Sequence, residues 1–152
     1  MSWFSNLIGQ RKTVNSTKPI AVEALLPQAL QAFDQLGCCV PNQCFRNEAL
    51  AVANHDLAEH YVLCFVAQGE DREYGHAIVR IGESHYDPTL QSQQRSNLHY
   101  RLHSEYSKQK LRQLTLQGQT AAPGRDSVAN VYPPALKSSC EIVFEPISGP
   151  NF

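Results

Sequence analysis

The 152-residue chain lacks the features that mark several large classes of protein. It carries no excess charge. With 13 Lys and Arg against 14 Asp and Glu, nothing electrostatic points to a nucleic-acid partner, whose phosphates reward a basic surface. No apolar run approaches the roughly 18 residues a membrane helix needs, and the opening residues show no basic stretch followed by a long apolar one. Neither a spanning segment nor a cleaved signal is therefore expected. There is no internal repeat, and no heptad pattern long enough for a coiled coil. The cysteines make no disulfide framework either: Cys38, Cys39, Cys44, Cys64 and Cys140 are odd in number and irregular in spacing. With 42% hydrophobic residues the chain can build one core of ordinary size without such staples. A reducing, cytoplasmic setting is the expectation, and each cysteine is a candidate thiol.

Residues 1–19 read as a flexible polar leader whose small apolar patch, Trp3, Phe4, Leu7 and Ile8, could dock on the body or on a partner protein. One α+β domain is expected over residues 20–152, a small antiparallel sheet packed against helices. Val22, Leu25, Leu26, Ala29, Leu30 and Phe33 recur at helical spacing and predict a helix over residues 21–36, started or kinked by Pro27 and ended by Gly37. A second helix is predicted over residues 44–53 with Asn42 as its cap, which puts Cys44 in the first turn. Residues 61–67 are apolar on both faces, the pattern of a central strand. Residues 74–81 and 84–87 read as a hairpin closed by Gly82 and Glu83. Leu98, Leu102 and Tyr106 suggest a long polar helix over residues 97–116. A long loop over 117–137 and a last strand over 140–144 complete the chain.

Chemistry concentrates in Cys44, His76 and Asp87. A thiol in the first turn of a helix meets unpaired N–H groups and the positive end of the helix dipole, which favour the thiolate and can receive an oxyanion. If Ile81 faces Ser84 across the turn, Val79 faces Tyr86 and Asp87 lies opposite Ile78, making His76 its diagonal neighbour on the same face. A carboxylate there can fix the tautomer of the imidazole and stabilise its charged form. Gln43, beside the thiol, is a candidate oxyanion donor or simply an exposed loop amide; Asn47, one turn later, faces either the cleft or solvent.

The run Cys44–Phe45–Arg46–Asn47–Glu48–Ala49, then Tyr61–Val62, Gly75–His76–Ala77–Ile78–Val79 and Tyr86–Asp87–Pro88–Thr89 resembles a group of small bacterial and phage proteins. These look like compact relatives of the papain and transglutaminase-like cysteine hydrolases. The resemblance covers about residues 40–90, with Glu48 intervening between Asn47 and Ala49, and Ile78 where an aromatic residue is common. It implies a papain/transglutaminase-like fold, Cys44 as nucleophile, His76 as general base, Asp87 as its orienter, and a protein or peptide-like substrate. Neither cofactor nor metal is called for.

Other readings use the same residues. Asp87 before Pro88 is also a common way to open a turn. Cys39, Cys44, His55 and His60 approximate a two-Cys two-His zinc spacing, although the helix starting at the second Cys does not suit that module. From a different class, the chain could be a catalytically silent interaction module that uses its leader and long loop.

Overall fold

A computed structural model of the chain describes residues 17–120 and 133–144. The apolar leader patch and residues 121–132 of the expected loop lie outside the described residues. The elements in chain order are β1 (Lys18–Ile20), β2 (Val22–Glu23), α1 (Pro27–Gln35), α2 (Cys44–Ala53), β3 (His60–Gln68), β4 (Tyr74–Ile81), β5 (Ser84–Tyr86), α3 (Pro88–Ser92), β6 (Leu98–Ser107), α4 (Lys108–Thr120), β7 (Pro134–Leu136) and β8 (Ile142–Phe144). This is a mixed α+β architecture. Among the described residues, no helix is long and apolar enough to cross a membrane.

Six strands form one sheet in the order β1-β6-β3-β4-β5-β2, all neighbours antiparallel except β5 and β2. Its two edge strands, β1 and β2, are separated in sequence by Ala21 alone. Because one extended residue spans at most about 3.6 Å, the edges must meet and the sheet curls round on itself. Ile20 and Val22, one from each edge, accordingly pack against the same cluster of Val62, Cys64, Val66, Ile78, Leu90 and Tyr100. The opposite face, with Tyr61, Leu63, Phe65, Ala77 and Val79, is covered by α2 and α4, with Phe33 of α1 in the same cluster. Strand β3 is central and apolar on both faces, as its sequence predicts.

The hairpin has the expected register: Ile81 pairs with Ser84, Arg80 with His85 and Val79 with Tyr86. Gly82 takes a positive φ of 59° at the turn. Strand β5 ends at Tyr86, one residue earlier than expected, and Pro88 starts the short helix α3 in place of a simple stop.

Three expectations are corrected. The first helix starts at Pro27, not residue 21, because Val22 and Glu23 are drawn into pairing with β5, and Pro27 at the first helical position needs no intrahelical N–H bond. The sheet also begins at Lys18, inside the expected leader. The largest change is at residues 97–116, where Leu98–Ser107 is a strand and only Lys108–Thr120 is helical. Leu98, Leu102 and Tyr106 fit a helix at four-residue steps, but with Tyr100 they also alternate at period two. The pairing of β6 with β3 then slips between Leu63 and Cys64, leaving His103 as an extra residue. That bulge reverses the facing of everything beyond it. Tyr100 and Leu102 thus pack in the enclosed cluster while Tyr106 packs near Tyr61 on the helical face, their ring centroids 6.2 Å apart.

Strand β7 crosses beside β4, tied down by Tyr61, whose hydroxyl donates to the Pro134 carbonyl at 2.6 Å. A Cβ on Gly75 would land on the carbonyl oxygen of Leu136, backbone that has no rotamer to give. Gly75→Ala is therefore expected to dislodge β7 and to lower stability by about 3 kcal/mol, in the upper range for overpacked sites, with loss of any activity because His76 is the next residue. Chemical denaturation of the variant measures it. A change under about 0.5 kcal/mol would show that the β7 backbone yields.

Candidate functional site

Three elements converge on His76. Helix α2 brings Cys44 at its first residue, β4 brings His76 near the strand's start, and the junction of β5 with α3 brings Asp87. His76 Nε2 stands 2.8 Å from Asp87 Oδ2, both residues buried. Cys44 is near enough to the same ring to favour its charged form, and with Nε2 taken by Asp87 the nitrogen open to the thiol is Nδ1. The three residues expected from the sequence are thus together, in the order thiol, imidazole, carboxylate.

Asp87 performs two roles that the sequence posed as alternatives. Its Oδ1 accepts the Leu90 N–H at 3.1 Å and so caps α3, while Oδ2 takes His76 and the Tyr100 hydroxyl, which donates at 2.7 Å. A carboxylate that caps a helix with one oxygen is fixed in orientation, so the other oxygen is aimed at the imidazole. The Tyr100 hydroxyl completes the set. Tyr100 was not expected in the site. Alternating apolar and polar residues over 98–102 carried the signal that it faces inward from a strand.

Burial opposes charging of His76, but Asp87 and Cys44 outweigh it and hold the imidazole well above its usual range. The ring therefore holds a proton more firmly than a free imidazole does, with the Cys44 thiol beside it.

Gln43 is exposed, one of its two expected readings, whereas Asn47 sits differently from what was expected. Gln43 occupies the N-cap position without a side-chain capping bond; its carbonyl accepts from the Asn47 N–H at 2.8 Å. The expected cap, Asn42, instead turns the chain with a φ of 61°. Asn47 faces neither solvent nor an open cleft. It is fully buried, and its amide nitrogen donates to the Val40 carbonyl at 2.8 Å and to Thr89 Oγ1 at 2.9 Å. Asn47 therefore braces the loop before Cys44 against the turn after Asp87, fixing two parts of the site relative to each other.

Glu48 is the other residue that the sequence did not single out. It is fully buried one turn after Cys44, and among the described residues neither carboxyl oxygen has a hydrogen-bond partner. Burial first, then Asp87 and Cys44, push its carboxyl well above the usual range, with His76 acting the other way. The signal was an acidic residue at the head of the apolar run Ala49–Leu50–Ala51–Val52–Ala53.

Burial, aided by Glu48, pushes Cys38 and Cys39 each up to about 12, and burial raises Cys64 as well. Cys140 is exposed, and all five cysteines are free. Among the described residues, no group of three or more His, Cys, Asp and Glu side chains is placed to hold a metal ion.

Two of these groups set how stability varies with pH. Glu48 stays protonated in the fold above its ordinary value of 4.5, where the unfolded chain releases its proton, so stability falls as pH rises from there until the folded carboxyl ionises. His76 adds a loss of the same sign above its ordinary 6.5, because the folded ring keeps a proton that the unfolded one gives up. Each group changes stability by at most about 1.4 kcal/mol per pH unit. The melting temperature is expected to peak in weak acid and to fall from about pH 5 to pH 8. Glu48→Gln should flatten the lower part of that fall. A melting temperature that rises through this interval would contradict both assignments.

No family model, curated protein or solved structure matches the chain. The likeness to papain and transglutaminase-like hydrolases rests on the residue pattern alone.

Proposed function

We propose that the protein carries out thiol-dependent acyl chemistry on an amide or ester of a protein or peptide-like substrate, as a papain/transglutaminase-like hydrolase or acyltransferase. The observation that carries this reading is the buried His76–Asp87 pair with Cys44, the first residue of a helix, acting on the same ring. In the first step the Cys44 sulfur attacks the carbonyl carbon, and the oxyanion faces N–H groups of the first turn of α2, which have no intrahelical acceptor. The exposed amide of Gln43, the residue before Cys44, is a further candidate donor to that oxyanion. His76 gives its proton to the departing amine or alcohol, leaving a thioester. It then takes a proton from water or from an acceptor amine that attacks the thioester, which distinguishes hydrolysis or deamidation from transfer. Asp87 holds the ring in one orientation throughout, and no cofactor enters these steps.

The test is alkylation of the native protein with iodoacetamide at about pH 6, mapped by peptide mass spectrometry, at a pH where ordinary thiols near 8.5 are largely protonated. Cys44 is expected to be modified first, ahead of the exposed Cys140, with Cys38, Cys39 and Cys64 last. Equal, slow modification of Cys44 and Cys140 would favour a silent interaction module.

A further inference from the structure

Glu48 sits in a group of interacting titratable side chains, and nothing in the proposed steps uses it. It follows Cys44 by one turn on the same helix, and side chains on a helix lean toward its N-terminus, so Glu48 leans toward the turn that carries the thiol. The groups that act on it come from every element packed there: Cys44 on α2, His76 on β4, Asp87 at the cap of α3, Tyr61 and Cys64 on β3, and Cys38 and Cys39 after α1. All of these are acids except His76. One imidazolium therefore serves Asp87, Cys44 and Glu48, and Asp87 already has its hydrogen bond. Among the described residues neither buried Glu48 oxygen has a hydrogen-bond partner, so no protein donor there stabilises the charge of the carboxyl.

We propose that Glu48 is a positioning residue for the Cys44 nucleophile, the two acids carrying one negative charge between them. This deepens the acyl-chemistry reading and rests on it. The exchange balances as Cys44 thiol plus Glu48 carboxylate giving Cys44 thiolate plus Glu48 carboxylic acid: an S–H bond breaks and an O–H bond forms. While Glu48 keeps its proton, the imidazolium is free to pair with the thiolate. Once Glu48 ionises, two negative charges compete for that cation and nucleophile strength falls. Burial keeps the proton on Glu48 beyond the range of an ordinary carboxyl, which extends the working range of the thiolate upward in pH.

Carbon NMR of the Glu48 carboxyl in the full chain tests the coupling directly. Removing the competing acid with Cys44→Ser should lower the Glu48 titration midpoint by about one pH unit, the size that defines strongly interacting sites. A midpoint that stays within about 0.2 units would overturn the proposal. From the other side, Glu48→Gln should raise the rate of Cys44 alkylation about tenfold at pH values above the Glu48 midpoint and leave it unchanged below. Glu48→Met should do the same. A purely structural Glu48 would shift thermal stability in both variants while the alkylation profiles overlay the wild type, and that result also overturns the proposal. If neither Glu48 variant folds, the Cys44→Ser titration decides alone. The two readings fail separately: absence of turnover on any ester or amide removes the acyl chemistry but leaves the shared charge measurable, whereas uncoupled titrations in a protein that does turn over remove only the shared charge.

Discussion

Cys44→Ala is expected to reduce any amide- or ester-cleaving activity by about ten-thousand-fold or more while leaving the protein folded. The thiol makes the first bond to the substrate carbonyl and the thioester on which the second step depends, and the helix N–H groups and binding contacts that remain can support no more than a small residual rate. Its loss is cheap for the fold, because Cys44 is half-buried at the margin of the core cluster that α2 shares with the sheet. A single truncated sulfur there should change stability by about 1 kcal/mol or less. His76→Ala should cause a similar loss of activity with a larger structural penalty, since it leaves Asp87 Oδ2 buried with the Tyr100 hydroxyl alone. Breaking one side of a buried pair commonly costs about 3 kcal/mol. Initial rates on activated esters, paired with thermal melts, separate the two effects. Wild-type turnover in Cys44→Ala would mean that any activity lies elsewhere, and the interaction-module reading would take its place.

The parts of this protein that were legible in its sequence are those governed by short-range pattern. The hairpin register follows from alternation and a two-residue turn, and α2 is bounded as its apolar spacing predicts. Because the hairpin was legible, so was the meeting of His76 with Asp87. The misread parts depend on distant partners. Val22 and Glu23 have the spacing of a helix and become a strand because β5 offers an edge. Residues 98–107 satisfy a helical and a period-two pattern at once, and pairing with β3 decides between them. Tyr100, Thr89 and Glu48 were missed for the same reason: what makes each part of the site is a contact across the curled sheet or a depth of burial. In the case of Asn47, a helix wheel shows which direction a side chain takes but not whether Val40 and Thr89 stand there to receive it.

Asp87→Asn separates the two jobs that this carboxylate performs, and the expected outcome is a well-folded protein with activity reduced about a thousand-fold or more. The cap on α3 should survive, because the amide oxygen of Asn can accept the Leu90 N–H as Asp87 Oδ1 does. The Asn nitrogen then occupies the position of Oδ2, where it is a donor. His76 Nε2 needs an acceptor there whenever the ring is charged, and the Tyr100 hydroxyl also donates to that atom. The imidazole is left in the neutral form with its proton on Nδ1, facing Cys44 with a donor when it should accept the thiol proton. Loss of the Asp87 charge also removes the leading influence that raises His76 against its burial. The pH profile should therefore change along with the rate, the imidazole losing its proton at lower pH than in the wild type. Asp87→Ala loses the cap as well and should unfold at a lower temperature than Asp87→Asn, by an amount set by a helix cap of about 1 kcal/mol plus the abandoned Tyr100 hydroxyl. If Asp87 serves only the cap, Asn replaces it without loss, and Asp87→Asn retains wild-type turnover. That result would reduce the site to Cys44 and His76, with Tyr100 no more than a core residue.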